Sequence, residues 1–150
     1  MLSFIIKSWN ELTKQELYQL LQLRSEVFVV EQECAYQDLD GQDEEAMHLL
    51  VTEPNKALLG YARIYSSSIE KEAVQAIGRV CVRESERGES IARRMMEVAL
   101  EYIERHHKQA ITVSAQAYLE NFYQQLGFNS VSEPYLEDGI PHIRMIRDKQ

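Results

Sequence analysis

Residues 80–100 read VCVRESERGESIARRMMEVAL. Val80-Cys81-Val82 has the character of a strand end. A polar loop, residues 83–88, follows. From Ile91 onward, Met95, Val98, Ala99, Tyr102 and Ile103 recur at helical spacing and form the stripe of an amphipathic helix. A strand, a tight loop and a helix that begins by a glycine present unpaired backbone N–H groups at the helix start, where an anion can sit. Gly88, Ser90 and Ala92 are small enough for a phosphate to approach the backbone, and Arg87, Arg93 and Arg94 are the densest positive charge in the chain. A pyrophosphate fits this pattern. A plain amphipathic helix with a glycine at its start fits it equally, because neither G-x-G-x-x-G nor a loop ending G-K-[ST] occurs.

Working outward, residues 74–82 read as the strand that enters the loop. Residues 48–52 and 57–65 read as a hairpin turned at Glu53-Pro54-Asn55-Lys56. Thr13-x-x-Glu16 is a capping box that starts a helix, which Leu17, Leu20, Leu21 and residues 24–28 continue. Residues 4–9 read as an edge strand. Downstream, residues 110–114 form a buried-looking strand, and residues 119–126 a short helix closed by Gly127, a position that needs positive φ. Residues 128–131 and 142–146 are the last strands, with the turn signal Asp138-Gly139 between them. The order β-α-β-β-β-α-β-α-β-β predicts one α+β domain over residues 1–150. Its expected architecture is an α/β sandwich, a mixed central sheet of about six to seven strands flanked by helices.

Composition narrows the function. In 150 residues, 16 Lys plus Arg against 24 Asp plus Glu leave a net charge of −8. No basic stripe is visible, so nucleic acid is not the expected partner. No run approaches the ~20 apolar residues of a membrane span. Cys34 and Cys81 stand far apart, no Cys/His set has zinc spacing, and Asp38-Leu39-Asp40-Gly41 is not a calcium loop, so no metal is expected. Both cysteines read as packing residues. Without a basic-then-apolar leader, the expected compartment is the cytoplasm. Residues 31–45 are acidic and aperiodic; they read as a solvated loop or as the border of a pocket for a cationic amine.

The opening stretch resembles the coenzyme A motif of the GNAT superfamily of N-acetyltransferases, Arg/Gln-x-x-Gly-x-Gly/Ala at the start of a long helix. Here the motif reads Arg87-x-x-Ser90-x-Ala92. Tyr123-Gln124-Gln125-Leu126-Gly127-Phe128 resembles the family's Tyr-x-x-x-Gly-Phe. Residues 23–32, then Cys34, Asp38, Asp40-Gly41 and His48, are similar to the ElaA-type branch, as is YLEDGIPH at residues 135–142. The resemblance implies transfer of an acetyl group from acetyl-CoA to a primary amine. Backbone groups of Arg87, Gly88, Glu89, Ser90, Ile91 and Ala92, with Arg93 beside them, would hold the pyrophosphate. Val80, Cys81 and Val82 would pair with the pantetheine arm, and the Val82 N–H would polarise the thioester carbonyl. Tyr123 would protonate the departing thiolate. Ser90 stands where the motif has glycine, Gln116 where the family has asparagine, and Ala76 where some relatives carry a glutamate base.

The base is therefore open. His142 and His48 suit removal of an ammonium proton, and Glu33 or Asp40 could act through water. A CoA-binding sensor without turnover is the alternative function, and an edge strand and a C-terminal hairpin would permit a homodimer.

Overall fold

The computed structural model describes residues 1–88 and 90–150. Its centre is an eight-stranded sheet in the order β1-β2-β3-β4-β5-β8-β6, with β7 beside β8. The strands are β1 (Ser3–Ser8), β2 (Met47–Thr52), β3 (Gly60–Ile69), β4 (Glu72–Val82), β5 (Ile111–Gln116), β6 (Asn129–Ser130), β7 (Tyr135–Glu137) and β8 (Ile140–Arg147). The α+β architecture is the one the sequence predicts. The added strand is β7, which turns into β8 through Asp138 and Gly139 at φ 52° and 77°. That turn therefore closes a β7–β8 hairpin and does not join β6 to β8.

Helix α1 (Lys14–Ser25) starts at the capping box. Glu16 N–H bonds Thr13 Oγ1 at 3.0 Å, and Thr13 N–H bonds the Glu16 carboxylate at 2.9 Å. The apolar run that continues its pattern is not α-helical: Glu26–Glu31 winds into a π-helix. Helix α2 (Ile91–His106) is the long helix, and α3 (Glu120–Gln124) the short one.

Alternation along β2 sets the two layers. Leu49 and Val51 face one side and pack with Met95, Met96, Ala99 and Ile103 of α2. Leu50 faces the other and packs with Leu20, Leu23 and Val27. Each such side chain contributes roughly 1.5–3 kcal/mol when fully buried. Helix α2 presses closely on the sheet, since a Cβ built on Gly60 would lie 2.8 Å from Met95 Sδ. The buried stripe of α2 includes Met96 and Leu100 as well as the expected Ile91, Met95, Ala99 and Ile103, while Val98 and Tyr102 are half-buried. Among the described residues, no helix is long and apolar enough to cross a membrane.

Candidate active site

The sheet opens between β4 and β5. These parallel strands pair at Gln75–Ile111 and Ala76–Thr112, and beyond that they run on unpaired to Val82 and Gln116. A cavity of about 640 Å³ fills the gap. The register of β4 against β3 decides which of its groups face the gap. Arg83 N–H bonds Leu59 C=O at 2.8 Å, so the next pair, Val82–Gly60, is a non-hydrogen-bonded one. The Val82 N–H and C=O therefore point away from β3, toward the opening. Its carbonyl accepts Arg87 Nε at 3.0 Å. Earlier in β4, a register shift and Arg79 at φ 51° mark a bulge.

The start of α2 closes one end of the cavity. Gly88 lies at φ 90°, and Ser90 caps the helix in the left-handed region at φ 61°, ψ 20°, with no bond from its side chain to the helix. The first N–H groups of α2 have no carbonyl four residues earlier within the helix, which suits an anion. The arginines are placed differently from the sequence reading. Arg87 is clamped by both Glu31 carboxylate oxygens, the Nη2 bond at 2.8 Å, so it braces the loop against the π-helix. That pairing holds the Glu31 carboxyl below its usual range. Arg94 lies over the Phe4 ring at 4.7 Å and does not join the cavity lining. Arg93 lines the cavity and donates to Gln125 at 3.3 Å. What meets an anion here is thus chiefly backbone N–H.

Tyr123 forms part of the wall on α3. It is 6% exposed and meets Phe122 and Phe128 edge-on at 5.1 and 5.8 Å. Gly127 at φ 94° lets the chain reverse, so that both Leu126 and Phe128 N–H groups bond Tyr123 C=O. Burial, with the Tyr118 phenol adding to it, pushes the Tyr123 hydroxyl up to about 12.

The wall across from β4 is one face of β5, β8 and β7. Gln116 pairs with His142 and His142 with Tyr135, so their side chains share a face with Ser114 and Glu137, each two residues along. Ser114 Oγ donates to Glu137 Oε1 at 2.9 Å and also bonds the Tyr135 hydroxyl. His142 Nδ1 lies 2.7 Å from Ile140 C=O. A carbonyl only accepts, so Nδ1 carries the proton and Nε2 is left as the acceptor. Nε2 faces Glu137 Oε2 at 3.6 Å.

Val80, Cys81, Val82, Arg87, Gly88, Ser90, Ile91, Ala92, Arg93, Gln116, Tyr123 and His142 all line this one cavity. Glu89 lies outside the described residues. The other base candidates fall elsewhere. His48 is fully buried, with Nδ1 against the Tyr61 hydroxyl and Nε2 against Asp43 C=O at 2.9 Å, and burial lowers its pKa. Asp40 is paired with Arg63 at 2.7 Å, and Glu33 is exposed outside the cavity lining. Cys81 is packed, its thiol pushed up to about 12 by burial, whereas Cys34 opens on the cavity and donates to Asp138 C=O at 3.2 Å.

Within the acidic stretch Glu33, Glu44 and Glu45 stay exposed, as in a solvated loop, but Asp38 and Asp43 are drawn into ion pairs. Asp38 joins Arg24 at 2.7 Å and Arg79 at 2.8 Å, and Asp43 joins Arg24 at 2.7 Å and Arg63 at 3.0 Å. Arg24, Arg63 and Arg79 are the residues sequence reasoning missed. Their partners lie 14 to 41 positions away, and no local spacing announces such pairs. Asp38 and Arg79 reach the cavity, so this network ties the acidic loop to the bulge in β4. Among the described residues, no three His, Cys, Asp or Glu side chains converge as metal ligands would.

Comparison with known proteins identifies the family and the fold. Residues 10–149 match the family described as "Acetyltransferase (GNAT) domain". The protein ElaA of Escherichia coli K12 is 48% identical over 93% of this chain and 92% of its own length. The crystal structure of E. coli ElaA superposes with a TM-score of 0.90 at 44% identity, covering 99% of this chain and all, 100%, of that one. An acyl-CoA N-acyltransferase from Pseudomonas aeruginosa gives a TM-score of 0.90 at 43% identity, covering 98% and 99%.

Proposed function

The chain belongs to the GNAT acetyltransferase family, and on that premise we propose that it moves an acetyl group from acetyl-CoA to a primary amine by direct attack. The observation that carries the reading is the parting of β4 from β5, with the Val82 N–H aimed into the gap and Tyr123 and His142 lining the same cavity. Acetyl-CoA supplies an activated thioester. The first turn of α2 receives its pyrophosphate, and residues 80–82 offer main chain to the pantetheine arm as a further strand would. The Val82 N–H donates to the carbonyl oxygen as negative charge grows there.

His142 Nε2 takes a proton from the acceptor's ammonium, leaving a nitrogen lone pair. The C–N bond forms as the C–S bond breaks. Tyr123 gives its proton to the sulfur, the surplus proton on nitrogen restores the phenol through water, and His142 releases the proton it took to solvent. Deep burial keeps Tyr123 protonated until that moment.

The test has two readings. Acetyl-CoA should raise the melting temperature by ligand linkage, and thiol release should appear with amines present. Absence of any shift at saturating acetyl-CoA overturns the proposal. A shift without turnover would instead mark a CoA-binding sensor.

A further inference from the structure

We propose that Glu137 is the acceptor-anchoring residue of this site and that the site selects primary ammonium groups with no carboxylate beside them. The inference rests on the acetyltransferase reading above and adds the substrate class to it.

Three observations converge. The first is position. Glu137 stands on β7, on the cavity wall across from β4, and shares a face with His142 and Ser114. The second is the state of its oxygens. Oε1 accepts from Ser114 at 2.9 Å, which fixes the carboxylate's orientation. Oε2 makes no ion pair with an arginine or lysine among the described residues and faces only the His142 Nε2 acceptor, at 3.6 Å. The third is the histidine itself. The His142 side chain is 9% exposed, its Nδ1 is committed to Ile140 C=O, and Nε2 stands beyond hydrogen-bond reach of Glu137 while facing the cavity. An acceptor nitrogen on the buried imidazole is left without a donor. A primary ammonium answers both groups, with one N–H to Oε2 and another to Nε2. Glu137 then holds the charge beside the group that removes the proton.

The rest of the wall sets what else the acceptor can carry. The cavity arginines on the side away from α2 and at its loop are already engaged, Arg79 by Asp38 and Arg87 by Glu31. Asp138 next to Glu137 also lines the cavity, its C=O accepting from the Cys34 thiol. A carboxylate adjacent to the reacting amine would meet Glu137 and, on this wall, no unpaired cation among the described residues, since Arg93 stands at the start of α2 where the pyrophosphate is received. Alkylamines and polyamines fit, and free α-amino acids do not.

The test uses the full chain with n-butylamine, 1,5-diaminopentane and glycine as probes, following thiol release. Wild type should turn over the first two and discriminate against glycine. Glu137→Gln keeps the size and the Ser114 contact but removes the charge. It should raise KM for both amines about tenfold or more, leave KM for acetyl-CoA within twofold, and lower kcat less than KM rises. Glu137→Asp should recover part of the loss, which a packing role would not do. Equal amine KM values in wild type and Glu137→Gln overturn the inference, as does a preference for glycine or a parallel rise in the acetyl-CoA KM. Wild type that binds acetyl-CoA yet neither binds nor acetylates any of these amines overturns it too. Failure to bind acetyl-CoA at all would overturn the acetyltransferase reading, and this inference with it.

Discussion

Ser90 holds a conformation that glycine adopts freely. At φ 61° its Cβ crowds the local backbone, and its hydroxyl makes no bond to the helix it opens. A left-handed non-glycine residue costs about 1–2 kcal/mol, of which glycine's greater freedom when unfolded would return roughly 0.5–1. Ser90→Gly is therefore expected to stabilise the protein by under about 1 kcal/mol, read as a small rise in melting temperature, while acetyl-CoA affinity holds or improves. A tenfold loss of affinity would show instead that the hydroxyl contacts a phosphate. Tyr123 gives the second residue-scale prediction. Tyr123→Phe should lower the rate per bound complex by about 10²–10⁴ with little change in acetyl-CoA affinity. Because burial lifts the phenol to about 12, no alkaline fall in activity from its ionisation should appear below pH 11 or so. A Phe variant within threefold of wild type, measured where chemistry limits the rate, would remove Tyr123 from the mechanism.

Among the elements, the Arg24–Asp38–Arg79 and Arg24–Asp43–Arg63 pairings join α1, the acidic loop, β3 and β4. Arg24 is fully buried, with one guanidinium serving both Asp38 and Asp43. Arg24→Met leaves those carboxylates short of a partner and is expected to cost about 3–5 kcal/mol in chemical denaturation. A loss below 1 kcal/mol would mean that Arg63 and Arg79 suffice. Elements differ in how far the sequence exposes them. The capping box, the stripe of α2 and the glycine after α3 are local patterns, and each appears at its expected place. The π-helix is not local in this sense, because an apolar run such as Val27 to Val30 satisfies an α and a π winding alike. Strand β7 is only 3 residues long and acquires its identity from β8. The candidate site is legible where motif and element coincide, at residues 80–88, 90–93 and 123–128. It is hidden where chemistry depends on partners distant in sequence: Arg87 reads as a phosphate ligand until Glu31, 56 residues away, is seen to hold it. Glu137 carries no signal of its own in the sequence, and only its register in β7 beside His142 brings it to the cavity.

For the molecule as a whole, acid stability follows from these same groups. Burial raises the Asp40 carboxyl, but hydrogen bonds from Arg63 and Gln42 and the charges of Arg63 and Arg79 outweigh it and hold it at about 2, against an ordinary 3.8. Asp43 is lowered in the same sense by Arg24 and Arg63. A carboxyl lowered in the folded state contributes stability that is present above its unfolded value and lost as pH falls through the folded one. His48, lowered by burial, behaves alike from its ordinary 6.5 downward. Stability should therefore decline gently below pH 6.5 and steeply between about pH 4 and 2, as read by circular dichroism at fixed denaturant. Asp40→Asn should flatten the steep limb, and an unchanged limb would remove Asp40 from the account.

The joint between β4 and β5 also has a place in time. Strands β2, β3 and β4 follow one another as antiparallel neighbours through short turns, whereas the β4–β5 pairs at Gln75–Ile111 and Ala76–Thr112 must await the whole crossover through α2. Contacts that close short loops form early, and parallel pairing across a long connection forms late. Ile64→Val, inside the meander, is expected to slow refolding. Ile111→Val, at the joint, is expected to leave refolding near the wild-type rate and to speed unfolding, both read from chevron plots. The reverse assignment would place the joint in the folding nucleus. On the expected order, the cleft is the last part of the molecule to take its shape.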